Sequence, residues 1–473
     1  MKGHITAMDI DASFQEEQDQ KYLVMTQTPI PRLIGRLAIP TICAMLITSI
    51  YNMADTYFVS QIGTSASAAV GVTFSLMAII QAVGFTFGIG SSVQVSRLLG
   101  EKRRQEASES TATAFVTALV FGALLAVVGL VFIDDLVRLL GATESIAPYA
   151  RDYARYILIG SPYMAANFVL NTSLRGQGSA FYSMIGIMSG GILNIFLDPL
   201  MIFGMGMGIS GAALATIISQ FVSFLILLYF NLGGRGALPL KLRNFRLSPK
   251  LFTEIIAGGT PSLFRQGLAS TAMVFMIRAC MPFGDPAIAA ISIVTRLMMF
   301  VISAMIGFGQ GFQPVCGFNY GAKRYDRVKE SFWFCVKVSL LLLTSAGVVM
   351  FLLAPQAIAA FRRDDLEVIA IGTIALRLQC MMLPTQSFFT MCNMYLQCTG
   401  QSGPATLMAS ARQGIFFLPG TLILPPLFGL LGVQLVQPVA DIFCFILAVY
   451  LSRKFLRDLN HKLADQLRTE GQA

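Results

Sequence analysis

Apolar residues run along this chain in long blocks separated by short polar breaks. Largely apolar stretches such as Val116–Ile133, Leu214–Phe230 and Leu340–Leu353 carry no alternation of apolar and polar positions, so they do not read as strands of a barrel. A helix crossing hydrocarbon needs about 20 mostly apolar residues, and only helices or closed barrels satisfy their backbone groups there. The blocks therefore predict membrane helices. Six are expected in the first half, at 33–59, 67–97, 112–133, 153–174, 181–203 and 209–231. Six more follow at 254–279, 287–316, 333–354, 367–397, 404–427 and 430–453.

The second set repeats the first at a constant offset of 221 residues. Pro40 pairs with Pro261, Gly63 with Gly284, and Gly88 and Gly90 with Gly309 and Gly311. Gly100, Lys102 and Arg103 pair with Gly321, Lys323 and Arg324; Gly211 pairs with Gly432 and Tyr229 with Tyr450. An offset kept from the first block to the last means a duplicated unit. An even number of spans per unit returns the chain to its starting side, so the repeats run parallel about an axis along the membrane normal. The expected fold is an all-α integral membrane protein, with about 12 transmembrane helices in two pseudo-symmetric six-helix lobes. The expected divisions are a flexible N-terminal tail (1–28), an N-lobe (29–231), a linker (232–250), a C-lobe (251–455) and a C-terminal tail (456–473). The linker carries Gly233, Gly236, Pro239 and Pro249 among its basic residues.

Composition agrees: 55% of residues are hydrophobic and 12% charged, against roughly 25% charged in soluble domains. Basic residues gather in alternate connections, at Arg97, Lys102, Arg103 and Arg104, at Arg235, Lys241, Arg243 and Arg246, and at Lys323, Arg324, Arg327 and Lys329. Arg32 and Arg36 precede the first span, and Arg453, Lys454 and Arg457 follow the last. Positive loops stay inside, so both termini are expected in the cytoplasm. Those loops account for most of the net charge of +9 without any nucleic-acid partner. The polar first 28 residues have no apolar core and do not read as a secretory leader.

Several chemistries fall away. The eight cysteines form no C-x-x-C pair and read as buried small hydrophobes. The only histidines, His4 and His461, lie in the tails, which rules out a histidine relay or metal cluster within the spans. There is no phosphate-binding loop and no nucleophile–base constellation, so no enzyme and no cofactor is expected, and energy has to come from an ion gradient or a partner.

An ionisable side chain inside a span is costly and marks a functional site by default. Asp55 in the first span and Asp198 in the fifth are the leading candidates, with Asp441 in the last. Tyr51 and Asp55 are four residues apart, as are Asn194 and Asp198, so each pair shares one helix face. Thr216 adds a hydroxyl from the sixth span. Across the repeat, Asp55 becomes Met276 and Asp198 becomes Pro419, so the carboxylates belong to one lobe alone. The competing reading places each Asp at a helix end, reaching headgroups or water. Asp441 has a polar mirror, Gln220, and reads as packing or a shared hydrogen bond. Pro199 lacks an N–H and should bend the helix just after Asp198. Arg265, Arg296, Arg377 and Arg412 all lie in second-half spans. Arg412 is expected to snorkel toward the inner face, whereas Arg265 and Arg296 are candidates for the cavity lining, as are Asn52, Asn167 and Asn171.

The elements Tyr51-Asn52-x-x-Asp55-Thr56, Leu174-Arg175-Gly176-Gln177-Gly178 and Asn194-x-x-x-Asp198-Pro199 resemble those of the multidrug and toxic compound extrusion (MATE) family. So does Gly311-Phe312-Gln313-Pro314-x-x-Gly317-Phe318-Asn319-Tyr320-Gly321-Ala322, the most specific of them. The resemblance covers 29–455 and is strongest to the MepA-like bacterial exporters. It implies a multi-pass antiporter of the bacterial plasma (inner) membrane that expels organic cations and other xenobiotics in exchange for protons or sodium ions. It implies a functional monomer whose coupling ion, H+ or Na+, is held at Asp55, Asn194, Asp198 and Thr216, with Tyr51 beside them. Some relatives carry acids on the seventh and tenth helices; here those spans hold Arg265 and Arg377, so the resemblance does not extend to a second-lobe cation site. A lipid-linked oligosaccharide flippase of the same superfamily is the alternative, and a non-transporting receptor or scaffold the reading from another class.

Overall fold

The structure, a computed structural model, describes residues 19–144, 146–233, 235–361 and 365–470. The expected tail segments at 1–18 and 471–473 lie outside the described residues. Among the described residues every regular element is helical. A short α1 covers residues 19–27, where a flexible tail was expected. The first repeat then forms α2 (Ile30–Ser60), α3 (Thr64–Gly100), α4 (Arg104–Val131), the short α5 (Ile133–Leu139), α6 (Ala147–Gly176), α7 (Ala180–Pro199) and α8 (Gly208–Leu232). The second forms α9 (Pro249–Cys280), α10 (Asp285–Gly321), α11 (Tyr325–Leu352), the short α12 (Ala354–Ala359), α13 (Leu366–Cys398), α14 (Ser402–Ser410), α15 (Phe417–Phe428) and α16 (Leu430–Glu470). Among the described residues ten spans are long and apolar enough to cross a membrane, α14 and α15 counting as one of them. α6 and α9, which carry more charge, are long enough to complete the expected twelve.

The helices are apolar outward as well as inward, as lipid demands. On α4 the stripe Val120, Leu124, Val127 and Val131 is exposed, while Ala112, Phe115, Ala118 and Gly122 of another face are buried. Small residues let the buried faces close up: the Ser161 hydroxyl of α6 donates to the Gly122 carbonyl of α4 at 2.8 Å.

Two compact units form. The first holds the described residues up to Gly259 together with Gln310–Ser331; the second holds Thr260–Gly309 together with the chain from Phe332 onward. The units therefore do not divide at the linker. The start of α9, the end of α10 and the start of α11 pack with the first unit. Within that unit α6 is central, against α3, α4 and α8, while α7 packs on α2 and α8. Within the second, α13 packs on α16, α12 and α14, and α15 on α16. There Phe332, Tyr395 and Phe455 form a buried aromatic knot, with Tyr395 and Phe455 stacked at 4.4 Å between ring centroids.

The repeat is visible in backbone detail. α3 and α10 both end with a lysine in the left-handed region, Lys102 at φ 61° and Lys323 at φ 57°. At each end the next N–H turns back to a carbonyl five residues earlier, Arg103 to Leu98 at 2.8 Å and Arg324 to Asn319 at 2.9 Å. This closes the helix and meets an otherwise orphaned acceptor. The two ends also touch. A methyl at Gly100 would collide with the Phe318 carbonyl oxygen, and one at Gly321 with the Arg97 carbonyl oxygen. Phe318 is Arg97 moved by the repeat offset, so the contact is its own mirror image.

Candidate functional site

α2 and α7 meet where a glycine leaves room for an aromatic ring. A Cβ on Gly191 of α7 would lie 3.1 Å from the Tyr51 ring of α2, so the missing side chain lets that ring approach α7 closely. One turn on, Asn194 donates its amide to Asp198 Oδ1 at 3.1 Å. Asp198 is fully buried and Asn194 nearly so. α7 then ends at Pro199 and passes into a wide π turn, Leu200–Gly204. The helix thus changes its winding directly after Asp198, where a bend was expected, and π turns of this kind favour functional sites.

Asp55, on α2 one turn from Tyr51, interacts electrostatically with Asp198. From α6 comes Tyr153, 2% exposed, whose hydroxyl is hydrogen-bonded to the Thr216 side chain of α8. Asp55, Asp198 and Tyr51 all act electrostatically on that phenol. The first-repeat helices α2, α6, α7 and α8 thus bring Tyr51, Asp55, Tyr153, Asn194, Asp198 and Thr216 into one cluster.

Three acceptors in the cluster are buried without a hydrogen-bond partner: Asp55 Oδ1, Asn194 Oδ1 and Asp198 Oδ2. Leaving such a group unsatisfied costs about 1–3 kcal/mol, more when it is charged. Two carboxylates in one low-dielectric site also repel. A proton or a small cation there answers both penalties. Among the described residues no group of three His, Cys, Asp or Glu side chains stands ready for a resident metal. Two carboxylates, an amide oxygen and hydroxyls suit a transient monovalent ion.

Tyr153 was missed by the sequence reading, although a signal existed. Its mirror is Ile374, the same polar-to-apolar asymmetry that singled out Asp55 and Asp198. Applied to every span, that comparison finds it.

The remaining candidates lie elsewhere. Asn167 donates to Gln220 at 3.0 Å and to Ser223 at 3.2 Å, stapling α6 to α8. Asn171 donates to the Ser183 hydroxyl at 2.6 Å, stapling α6 to α7. Both side chains are buried between the helices they join. The side chain of Asn52 is exposed on α2. In the second unit Arg296 is exposed and Arg265 half-buried. Arg377 donates to the Phe351 carbonyl at 3.2 Å and lies over its ring. Arg412 does not snorkel. It pairs with Asp441 at 2.8 Å, because the π turn Ala411–Ile415 carries it toward α16, where Gln386 and Gln437 also donate to that carboxylate. Asp441 is therefore a saturated packing centre linking α13, the π turn and α16. Its mirror Gln220 serves α6 and α8 in the same way.

A family model, MatE, matches this chain twice, over residues 40–200 and 261–422, with starting points one repeat offset apart. The multidrug export protein MepA of Staphylococcus haemolyticus is 27% identical over 435 residues, covering 92% of this chain and 96% of that protein. A crystal structure of MATE in the straight conformation aligns with a TM-score of 0.88 at 26% identity, over 93% of this chain and 99% of that one. An outward-facing multidrug resistance MATE family transporter of the MOP superfamily aligns at 0.87, with 26% identity over 93% and 98% of the two chains. Matched over both repeats and built on the same helical plan, the chain belongs to the MatE family of membrane transporters.

Proposed function

We propose that this protein is an ion-coupled multidrug efflux antiporter. It would export cationic and other amphipathic xenobiotics by alternating access, as a monomer in a bacterial plasma membrane. With the basic loops inside, both termini face the cytoplasm. The observation that carries the coupling site is Asp198: fully buried, oriented by Asn194, within the field of Asp55, and holding an oxygen with no protein partner.

A proton or sodium ion arriving from outside neutralises the cluster and weakens its hold on a cationic drug. Release of the ion to the cytoplasm restores the negative charge and readies the site for the next cargo. An ion shifts the conformational balance only through unequal affinity for the two states. α2 is the natural responder, since it carries Asp55 and Tyr51 on one face and abuts α7. The named relatives, multidrug export proteins and MATE transporters, support export of small molecules. A flippase for an anionic lipid-linked sugar would have little use for a carboxylate pair in its first repeat.

Dye efflux from proteoliposomes under separately imposed sodium and pH gradients tests the reading. One gradient is expected to drive efflux in the wild type and to fail in Asp198→Asn. Efflux that is unchanged in Asp198→Asn overturns the assignment.

A further inference from the structure

Residues 19–28 belong to no membrane span, yet several side chains tie them to the surface around the basic loops. Asp19 forms an ion pair with Arg104. Lys21 donates to the carbonyl oxygens of Gly236 and Arg235 in the linker. The Tyr22 ring packs on Phe318 at 5.5 Å between centroids, and the Lys102 ammonium lies over the Tyr22 ring at 4.7 Å from its centroid. Met25 and Thr26 are buried, and the Met25 sulfur fills the space beside Gly178.

Two buried side chains of the second repeat hold the segment from beneath. Asn319, with no exposed surface, donates to the Met25 carbonyl at 3.2 Å. Arg327, 8% exposed, donates to the Thr28 carbonyl at 2.6 Å and to Asn319 Oδ1 at 3.0 Å. A buried guanidinium is thus satisfied largely by main-chain acceptors at the end of a ten-residue strap. Lifting the strap would strand those donors unless water followed, and stranded charged donors are costly. The seated contact is therefore dry, and lifting the strap requires water to reach Asn319 and Arg327. The strap touches the turn after α3, the turn after α6, the linker, the end of α10 and the start of α11. Only Pro29 separates it from α2, the helix that carries Asp55.

We propose that residues 19–28 are a latch. Seated, they clamp the basic-loop ends of α3, α10 and α11, and they lift off Asn319 and Arg327 whenever that end of the transporter opens. The inference rests on the alternating-access reading above, and the experiment keeps the two apart.

The full-length double variant Tyr22→Cys/Phe318→Cys, reconstituted in liposomes, is treated with a short bis-methanethiosulfonate, whose disulfide links to the two thiols bridge the strap to α10 and are cut by reductant. Dye efflux is expected to fall at least about tenfold and to return on reduction; undiminished efflux by the bridged protein overturns the latch. A second arm needs no transport. The buried thiol of Cys316 lies one turn from Asn319 on α10, and its maleimide labelling, located by peptide mass, reports opening. Lys21→Ala/Tyr22→Ala is expected to raise that rate about tenfold, and an unchanged rate in the folded variant overturns the latch. If wild-type protein moves no dye, the transport reading fails, and the labelling arm alone decides the latch.

Discussion

The amide of Asn194 donates to Asp198 Oδ1 from one turn back along α7, leaving the second carboxylate oxygen buried and unpartnered. A carboxylate half-satisfied by its own helix is oriented and still reactive toward an incoming cation. Asp198→Asn keeps the shape and removes the charge. Charge-assisted bonds are worth about 1.5–3 kcal/mol, so gradient-driven dye efflux should drop roughly ten- to hundredfold. Thermal unfolding in detergent, in which the variant should match or exceed wild type, separates this from misfolding.

Tyr153 reaches the same cluster through Thr216. Tyr153→Phe deletes one neutral hydrogen bond, worth about 0.5–1.5 kcal/mol, and should weaken ion coupling roughly two- to tenfold. Thr216→Ala breaks the same bond. The double variant should be little worse than the stronger single one, since contacting partners are not additive. Ion dependence of efflux in the four proteins is the measurement.

The buried pair Arg412–Asp441 should behave differently. Arg412→Ala leaves a buried carboxylate with only its amide donors, and breaking such a pair costs about 3–5 kcal/mol of stability. Arg412→Met combined with Asp441→Leu should recover much of that loss. Folded protein from the double variant should keep the ion dependence of wild type, whereas Asp198→Asn should not. Unfolding in detergent and efflux assays read the two effects.

Gly100→Ala and Gly321→Ala drive a methyl into a backbone carbonyl that has no rotamer to yield. Overpacking of this kind costs about 1–3 kcal/mol. The two variants should lose comparable stability, because the contacts mirror each other. Gly35→Ala, with nothing within 4 Å of the added carbon, is the control and should be neutral or slightly stabilising. Melting temperatures in detergent compare the three.

The spans, their number and the duplication were legible in the sequence because lipid imposes long apolar runs and the repeat offset survives in glycines and prolines. The cluster was legible where asymmetry between repeats was pronounced, as at Asp55 against Met276. Polar residues whose partners lie one helix away were harder. Asn167 and Asn171 look like site residues in a list of intramembrane amides, and only their neighbours Gln220, Ser223 and Ser183 reveal a packing role. Arg412 was misread for the same reason, since a π turn decides which way it points and no residue pattern announced one. The strap was missed because its hold comes from Asn319 and Arg327, almost three hundred positions away in the chain.

The contact between Gly100 and Gly321 is made by main chain on both sides. Such a seam has no side-chain conformers to sort when it re-forms, and its alignment follows from covalent geometry shared by every turn of helix. A transporter that parts and rejoins these two helix ends in each cycle could reseal them without a conformational search, and the seal would be just as tight whichever cargo had passed.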